Sequence, residues 1–137
     1  GYRLLADGLP SADALNRLLL ASGDRPRAAE RWQRVLERSL WHLGVEGPDG
    51  QLVGFVRATS DLALNANLWD LCADPGDPGQ GEILAVLVHG ALGRLRRELA
   101  GCSISLSAPP ESLGALERYG FAIDPGGIRA MGLSLQA

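Results

Sequence analysis

The order of elements between residues 68 and 106 constrains the fold of this 137-residue chain more than any other feature. Residues 68–73 (LWDLCA) predict a strand, and the residues that follow are rich in glycine and proline. Apolar side chains then recur at helical spacing as far as Leu99, and Ile104 and Leu106 predict a further strand. A strand, loop, helix and strand in this order indicate a crossover between parallel strands, with the helix on one face of the sheet.

The other segments predict a hairpin and three further helices. Leucines at helical spacing indicate one helix near the start of the chain, and residues 27–40 predict a second. The turn at residues 47–50 (GPDG) separates two β-prone segments that are expected to pair. Residues 110–118 predict a short helix, and residues 130–135 predict a closing strand. The expected fold is α/β (α+β), with a mixed central sheet of six or seven strands flanked by about four helices, in a single domain over residues 1–137.

Charge and composition exclude several classes of function. The net charge of −3 gives no general affinity for nucleic acid. No apolar run approaches the roughly 18 residues that a membrane span needs. The two cysteines, Cys72 and Cys102, lie at or beside apolar strands and are expected to be reduced thiols. Cysteines and histidines show no ligand spacing, so no metal site is expected.

A series of short motifs points to a family. They are ATSD at residues 58–61, WD at 69–70, GF at 120–121 and DPGGI at 124–128. With the strand, glycine-rich loop and helix between them, they resemble the GNAT superfamily of acyl-CoA-dependent N-acetyltransferases. The likeness is greatest to the plastid and cyanobacterial branch, which includes serotonin N-acetyltransferase-like enzymes. It covers residues 52–131, whereas the N-terminal part fits only in its helix pattern.

The resemblance implies that the glycine-rich loop holds the pyrophosphate of acetyl-coenzyme A. Free N–H groups and the helix dipole at a helix N-terminus favour anions, which is the physical basis of such a loop. By resemblance, the residues that bind the pyrophosphate are Gly79, Gln80 and Gly81. Backbone groups of the preceding strand then pair with the pantetheine arm, and by the same resemblance these belong to Leu71, Cys72 and Ala73.

The loop departs from the family pattern at several positions. If Gly81 is taken as the first glycine of the pattern, Pro78 stands where Gln or Arg is usual and Ile83 stands where the second glycine is usual. If Gly79 and Gly81 are paired instead, the glycines survive but Gly76 takes the Gln or Arg position. The charge of Glu82 opposes a pyrophosphate, and an Ile side chain in the loop would block close approach of the backbone. Binding of acetyl-CoA is therefore expected to be weak or absent.

The resemblance also implies which side chains take part in acetyl transfer. A base must accept the amine proton, and Asp70 is the first candidate because it directly precedes the pantetheine segment; Asp61 is the second. In the family a tyrosine on the short helix often protonates the leaving thiolate. Leu116 takes that position here and has no proton to give. Tyr119 lies nearly one helical turn later and is expected to be a packed aromatic.

Two hypotheses of different class remain. The first is an N-acetyltransferase that acts on a primary amine, carried by a small molecule or a protein. The second is a catalytically inactive GNAT-fold pseudoenzyme that binds a protein partner. Neither a nucleic acid nor a membrane span is expected, and homodimerisation is left open. By analogy, the location is cytoplasmic, in a cyanobacterial cytosol or a plastid stroma.

Overall fold

The computed structural model describes residues 1–135 and has a five-stranded mixed sheet with helices on both faces. The strand order is β1-β2-β3-β4-β5, and all neighbours are antiparallel except β4 and β5. The elements in chain order are β1 (Arg3–Leu5), α1 (Ala12–Ala21), α2 (Ala29–Arg38), β2 (Trp41–Glu46), β3 (Leu52–Ser60), β4 (Asn65–Ala73), α3 (Gln80–Glu98), β5 (Ser103–Leu106) and α4 (Leu113–Arg118).

The parallel crossover and the hairpin are confirmed. Helix α3 connects the parallel strands β4 and β5, and β2 and β3 pair antiparallel across the turn at residues 47–50. The number of helices also matches the prediction, with four α-helices in residues 1–135. Helix α1 begins where the sequence indicates, because the Ser11 side chain accepts a hydrogen bond of 3.1 Å from the Ala14 N–H.

The predicted closing strand does not form, so the described sheet has five strands instead of six or seven. Residues 130–135 carry no strand pairing, and Met131 is 97% exposed and Leu133 88% exposed. A 3₁₀ turn at Pro125–Gly127 precedes them, with Asp124 in the left-handed region at φ 45°. The alternating pattern is real, but strand structure needs a neighbouring edge and these residues reach none within their own chain.

Helices α3 and α4 cover one face of the sheet. Ile83, Leu84, Leu87, Val88 and Leu95 of α3 are buried there. The contact is close at Gly54 of β3, because a Cβ atom at that position would lie 2.5 Å from Cγ2 of Ile83. Gly54 therefore allows α3 to approach the sheet more closely than any larger residue would.

Helices α1 and α2 cover the other face over its central strands. Leu15, Leu18 and Trp32 pack there against Phe55 and Cys72. The rings of Trp32 and Phe55 meet edge to face at 6.2 Å between centroids. Across residues 1–135, no helix has the length and apolar character that crossing a membrane requires.

Candidate active site

Strands β4 and β5 separate part of the way along β4. Their pairing runs from Asn65 with Ser103 to Leu68 with Leu106, whereas β4 continues to Ala73. Beyond Leu68, the backbone groups of β4 that point away from β3 have no strand beside them. These unpaired groups are available to an extended ligand arm, as in strand addition at a sheet edge.

A cleft of about 460 Å³ opens where the two strands part. Trp69 and Ser107, the first residues beyond the last pair, both line it. The other walls come from β5, from α4 and from residues 121–130. Trp69 is 41% exposed, and its indole N–H donates a 2.7 Å hydrogen bond to Thr59 Oγ1, which fixes the ring at the mouth of the cleft.

Asp70 lies in a β-bulge of β4, and its carboxylate forms ion pairs with two arginines. Its φ of 58° is left-handed, and the pairing with β3 shifts register between Phe55 and Arg57. The carboxylate accepts hydrogen bonds of 3.0 Å and 3.2 Å from Arg27 and of 2.8 Å from Arg57. Asp70 therefore ties the segment between α1 and α2, which carries Arg27, to the bulge of the central strand.

The network continues from Arg27 into helix α1. Asn16 donates to the Arg27 carbonyl at 2.7 Å and accepts from the Arg27 N–H at 2.8 Å. The same Asn16 oxygen accepts the Trp32 indole N–H at 2.8 Å, and the Arg27 guanidinium lies 4.7 Å from the Trp32 ring centroid. We call Asn16, Arg27, Trp32, Arg57 and Asp70 the Asp70 network.

The charge environment keeps Asp70 ionised but weakly basic. Burial opposes its ionisation, and the hydrogen bonds and charges of Arg27 and Arg57 outweigh that effect, so the pKa of Asp70 is lowered. With both oxygens occupied by guanidinium groups, the carboxylate is better placed to orient arginines than to accept a proton. The assignment of Asp70 as the base stays a prediction that this geometry does not favour.

Asp61 closes the β3–β4 turn. Its Oδ1 accepts the backbone N–H groups of Ala63, Leu64 and Asn65 at 2.8 to 3.0 Å. Those hydrogen bonds lower the pKa of this exposed carboxyl to about 2. Asp61 is not among the residues that line the cleft. Its assignment as a base also stays a prediction, and the arrangement suits a turn residue.

The glycine-rich loop ends at the N-terminus of α3, as the sequence indicates. Helix α3 begins at Gln80, with Gly79 as its N-cap. Among residues 1–135, the N–H groups of Gly81 and Glu82 have no hydrogen-bond acceptor. A Cβ atom at Gly81 would meet nothing within 4 Å, so this end of the helix is open to a ligand. Two free N–H groups at a helix N-terminus suit a phosphate oxygen.

The charges of the loop oppose an anion. Residues 74–82 contain three carboxylates and no arginine. Asp77 accepts from the Gly79 N–H at 2.8 Å and from the Tyr2 hydroxyl at 2.7 Å, and Asp74 accepts from the Gly76 N–H at 2.9 Å. These two carboxylates shape the loop, whereas Glu82 is exposed at the first turn of α3. The free N–H groups of the backbone therefore favour an anion at this position, whereas the carboxylate charges of the loop oppose one.

Ile83 does not obstruct the loop, contrary to the expectation from the family pattern. It is 4% exposed and packs under the sheet against Gly54. The helix turns its side chain toward the core because Ile83, Leu84 and Leu87 share one face of α3. Obstruction by an Ile side chain is therefore wrong as a reason for weak binding, whereas the charge of Glu82 remains.

Leu71, Cys72 and Ala73 present only their backbone to the parted edge. All three side chains are buried, those of Leu71 and Ala73 toward α3 and that of Cys72 toward α1. Burial raises the pKa of the Cys72 thiol to about 12, so it is a protonated, unreactive packing residue. The Gln80 side chain donates to the Ala73 carbonyl at 3.3 Å, which joins the end of β4 to the loop.

Leu116 lines the cleft, and Tyr119 does not. Leu116 is 3% exposed, lies on α4 and faces the cleft from the core side. The Tyr119 ring instead lies against His89 of α3, with 5.6 Å between ring centroids. The expectation of a packed aromatic at Tyr119 is confirmed, and the cleft wall at Leu116 carries no proton donor.

Sequence reasoning missed three kinds of residue at this site. Arg27 reaches Asp70 from 43 positions away, and no local pattern indicates that pairing. Asn67 and Ser105 face each other across the parallel strands at 2.8 Å and line the cleft. Glu117 lines it from α4. The alternation of serine with Ile104 and Leu106 in β5 was the available signal, because it marks a strand with one polar face.

A mixed sheet whose parallel strands part in front of a helix N-terminus defines the fold class of this chain, and solved structures of acetyltransferases share that fold. A probable acetyltransferase from Staphylococcus aureus superposes with a TM-score of 0.85 at 15% identity, covering 98% of this chain and all of that one. A GNAT family N-acetyltransferase from Escherichia coli, solved in complex with CoA, gives a TM-score of 0.68 at 20% identity over 91% of this chain and 71% of that one.

Sequence comparison gives the family. Serotonin N-acetyltransferase 2, chloroplastic, from rice is 35% identical over 124 residues, which is 86% of this chain and 60% of that protein. No protein-family model matches the chain. The chain belongs to the GNAT superfamily of N-acetyltransferases and is similar to its plastid branch. It spans less than two thirds of the length of the curated relatives that it matches.

Proposed function

We propose that this chain transfers an acetyl group from acetyl-CoA to a primary amine. The observation that carries the proposal is the parting of β4 from β5 after Leu68, directly in front of the N-terminus of α3. An unpaired strand edge and an anion-binding helix end then lie in one continuous path. That path matches a ligand with an amide-containing arm and a pyrophosphate.

The residues that would hold acetyl-CoA act mainly through their backbone. The edge at Leu71, Cys72 and Ala73 would pair with the amides of the arm, and Gly79, Gln80 and Gly81 would enclose the pyrophosphate. The free N–H groups of Gly81 and Glu82 support this placement. The carboxylates of the loop are expected to weaken the binding of acetyl-CoA, so we expect a Kd above about 10 µM.

The cleft is the proposed acceptor site. Trp69 offers an aromatic wall, and the lining carries two carboxylates, Glu117 and Asp124, against one arginine, Arg129, which lies 3.7 Å from Asp124. Aromatic faces and carboxylates both attract an ammonium group, so the lining favours a cationic amine over an anionic acceptor. A small arylalkylamine or a lysine side chain of a protein fits this description.

In this reaction the amine nitrogen forms a bond to the thioester carbonyl carbon, the carbon–sulfur bond breaks, and the amine releases a proton to solvent water. Leu116 cannot supply a proton to the departing sulfur, so coenzyme A would leave as a thiolate. Asp70 is proposed to act through Arg27 and Arg57, by keeping the α1–α2 segment and the bulge of β4 in register with the cleft.

Isothermal titration with acetyl-CoA tests the cofactor site. Gly81→Asp places a carboxylate where the pyrophosphate is expected, has space for its side chain, and suits a helix N-terminus. We expect it to weaken binding at least tenfold while the fold is kept. Gly93→Asp makes the same change about 18 Å along the same helix and serves as the matched control. Equal affinity for both variants would contradict the proposed site.

Turnover is tested by thiol release with an arylalkylamine and with a lysine peptide. Leu116→Tyr places a hydroxyl on the cleft wall and is expected to raise the rate by roughly 10²-fold where protonation limits it. Leu116→Phe adds the ring without the donor and is the control. A rise with both variants would assign the gain to packing rather than to proton transfer.

The alternative is a pseudoenzyme of the same fold that binds a protein partner. The leucine at the donor position and the three carboxylates of the loop favour it. Absence of any heat with acetyl-CoA at millimolar concentration, in a chain that is folded, would support this alternative. For either function, a cyanobacterial cytosol or a plastid stroma is the proposed location, on the analogy of chloroplastic relatives.

A further inference from the structure

A second cavity, of about 260 Å³, lies beside β1 and β2 on the face of the sheet that α1 covers. Its floor is the side of β2 that carries His42, Gly44 and Glu46, and the connection from β1 to α1 forms a wall. None of its lining residues lines the cleft between β4 and β5. The cavity is therefore separate from the site of the proposed acetyl transfer.

Small residues keep this cavity open. Gly44 leaves the floor without a side chain, because a Cβ atom there would lie 3.1 Å from Leu52 Cδ1 and 4.0 Å from Leu5 Cβ. Both of those leucines line the cavity, and Ala14 of α1 adds only a methyl group to it. An apolar cavity of about 150 Å³ can hold a benzene ring, so this larger one has room for a ring with a short arm.

The charged groups of the lining favour a cation. Asp7 and Glu46 are its two carboxylates, and no arginine lines the cavity. Glu46 is already paired with Arg3 at 2.6 Å, whereas Asp7 is exposed and forms no ion pair within residues 1–135. A positive group beside Asp7 would therefore give this carboxylate a counter-charge that the described chain does not supply.

His42 adds a hydrogen-bond acceptor to the cavity. Its Nε2 atom lies 2.9 Å from the Gly8 carbonyl oxygen, which can only accept, so Nε2 carries a hydrogen. In the neutral ring Nδ1 is then an acceptor, and it has no partner among residues 1–135. The ring is held by stacking on Phe55, with 6.0 Å between centroids and 29° between planes. A protonated amine supplies both the charge that Asp7 lacks and a donor for Nδ1.

We infer that this cavity is a second ligand site, which takes a small organic ammonium ion with an apolar body. The leucines of the lining would pack against the body, and Asp7 and His42 would bind the ammonium group. Mostly apolar walls with a few polar groups are usual for small-molecule sites. The inference concerns a site outside the cleft and stands whether or not the chain transfers acetyl groups.

Calorimetric titration with N,N-dimethylbenzylamine tests the class of ligand. This tertiary amine is protonated near neutral pH and forms no stable amide, so acetyl transfer cannot consume it. Benzyl alcohol keeps the ring without the charge, and benzoate reverses the charge. We expect the amine to bind at least about tenfold more tightly than either control.

The two histidines of the chain locate the bound amine by NMR. His42 lines the cavity, whereas His89 lies on α3 against Tyr119. We expect the ring signals of His42 to shift during the titration and those of His89 to stay unchanged.

Substitutions in α1 test the cavity itself. Ala14→Leu fills it with a side chain that a helix accepts, and we expect the dissociation constant of the amine to rise at least about tenfold. Ala21→Leu makes the same change about 10 Å along the helix and is the matched control, with circular dichroism as the check on folding.

Asp7→Asn is expected to weaken binding of the amine about fivefold, whereas Asp13→Asn removes the same charge outside the lining and should change it little. Three results would overturn the inference. They are no binding of the amine up to about 10 mM, equal affinity for benzyl alcohol, or binding that Trp69→Ala weakens and Ala14→Leu does not, which would place the amine in the cleft.

Discussion

The Asp70 network and the C-terminal edge, by which we mean β5 and residues 121–135, differ in how fully their groups are partnered. In the network, one aspartate, two arginines, an asparagine and a tryptophan satisfy one another across α1, α2, β3 and β4. At the C-terminal edge, a strand is paired on one side only and Ile123, Ile128 and Met131 are exposed. Local stability is expected to be concentrated in the first region, and ligand or partner binding in the second.

The largest expected effect is the loss of Trp32. Trp32→Ala removes a ring that is 1% exposed and packs on Phe55, and it leaves the Asn16 oxygen without one of its donors. We expect the free energy of unfolding to fall by about 4 kcal/mol, which is much of the stability of a small domain. Urea unfolding followed by circular dichroism measures it. A loss below about 2 kcal/mol would mean that this side of the sheet is less firmly packed than described.

Removal of the Asp70 charge comes next. Asp70→Asn keeps a residue that tolerates the left-handed backbone but removes the counter-charge of Arg57 and leaves Arg27 with only the 3.4 Å contact to Asp24. We expect a loss of about 3 kcal/mol at pH 7, the low end for a buried pair because the Arg27 side chain is 31% exposed. Glu117→Gln changes an exposed carboxylate and is the control, with a loss below about 0.5 kcal/mol.

The stability difference between the natural chain and Asp70→Asn is also expected to depend on pH, in a direction that the pKa of Asp70 determines. The pKa of Asp70 is lowered in the folded chain, so its contribution is present above the unfolded pKa of about 3.9 and is lost as the pH falls through the folded value. The stability difference between the natural chain and Asp70→Asn should be flat between about pH 6 and 8 and shrink below about pH 4. A difference that grows in acid would refute the ion-pair account.

Trp69 of β4 lines the cleft that the C-terminal edge borders, and it is the matched position for Trp32 on that side of the molecule. Trp69→Ala removes the same side chain type as Trp32→Ala, but from a residue that is 41% exposed. We expect a stability loss of about 1 kcal/mol and a larger loss of amine binding or turnover. Equal losses at Trp32 and Trp69 would remove the distinction between the two regions.

The smallest effect is expected at Met131. Met131→Ser changes a side chain that is 97% exposed, so the free energy of unfolding of the dilute chain should change by less than about 0.5 kcal/mol. A change of several kcal/mol in the dilute chain would mean that the segment packs on its own sheet.

Sequence periodicity predicted the elements, because α3 and the β2–β3 hairpin are specified by residues close together in the chain. Periodicity also predicts that Ile83 is buried, because it lies one helical turn before Leu87 on the apolar face of α3. The alignment to the family pattern instead placed Ile83 in the loop. The partners of Asp70 could not be predicted, since Arg27 and Arg57 lie 43 and 13 positions away. Nor could the absence of strand pairing at residues 130–135, because alternation indicates a strand without showing that an edge of the sheet lies beside it.

Gly54 gives the site its dimensions. It pairs in register with Ala73, the last residue of β4, and the first turn of α3 rests on it. The distance between the edge of β4 and the N-terminus of α3 therefore depends on Gly54 having no Cβ atom. A methyl group at residue 54 would lift the helix from the sheet and lengthen that distance, so Gly54→Ala would mismatch the site to a ligand of fixed length. The proposed fit to a cofactor arm of one length therefore depends on a residue of β3 that the ligand itself would not touch.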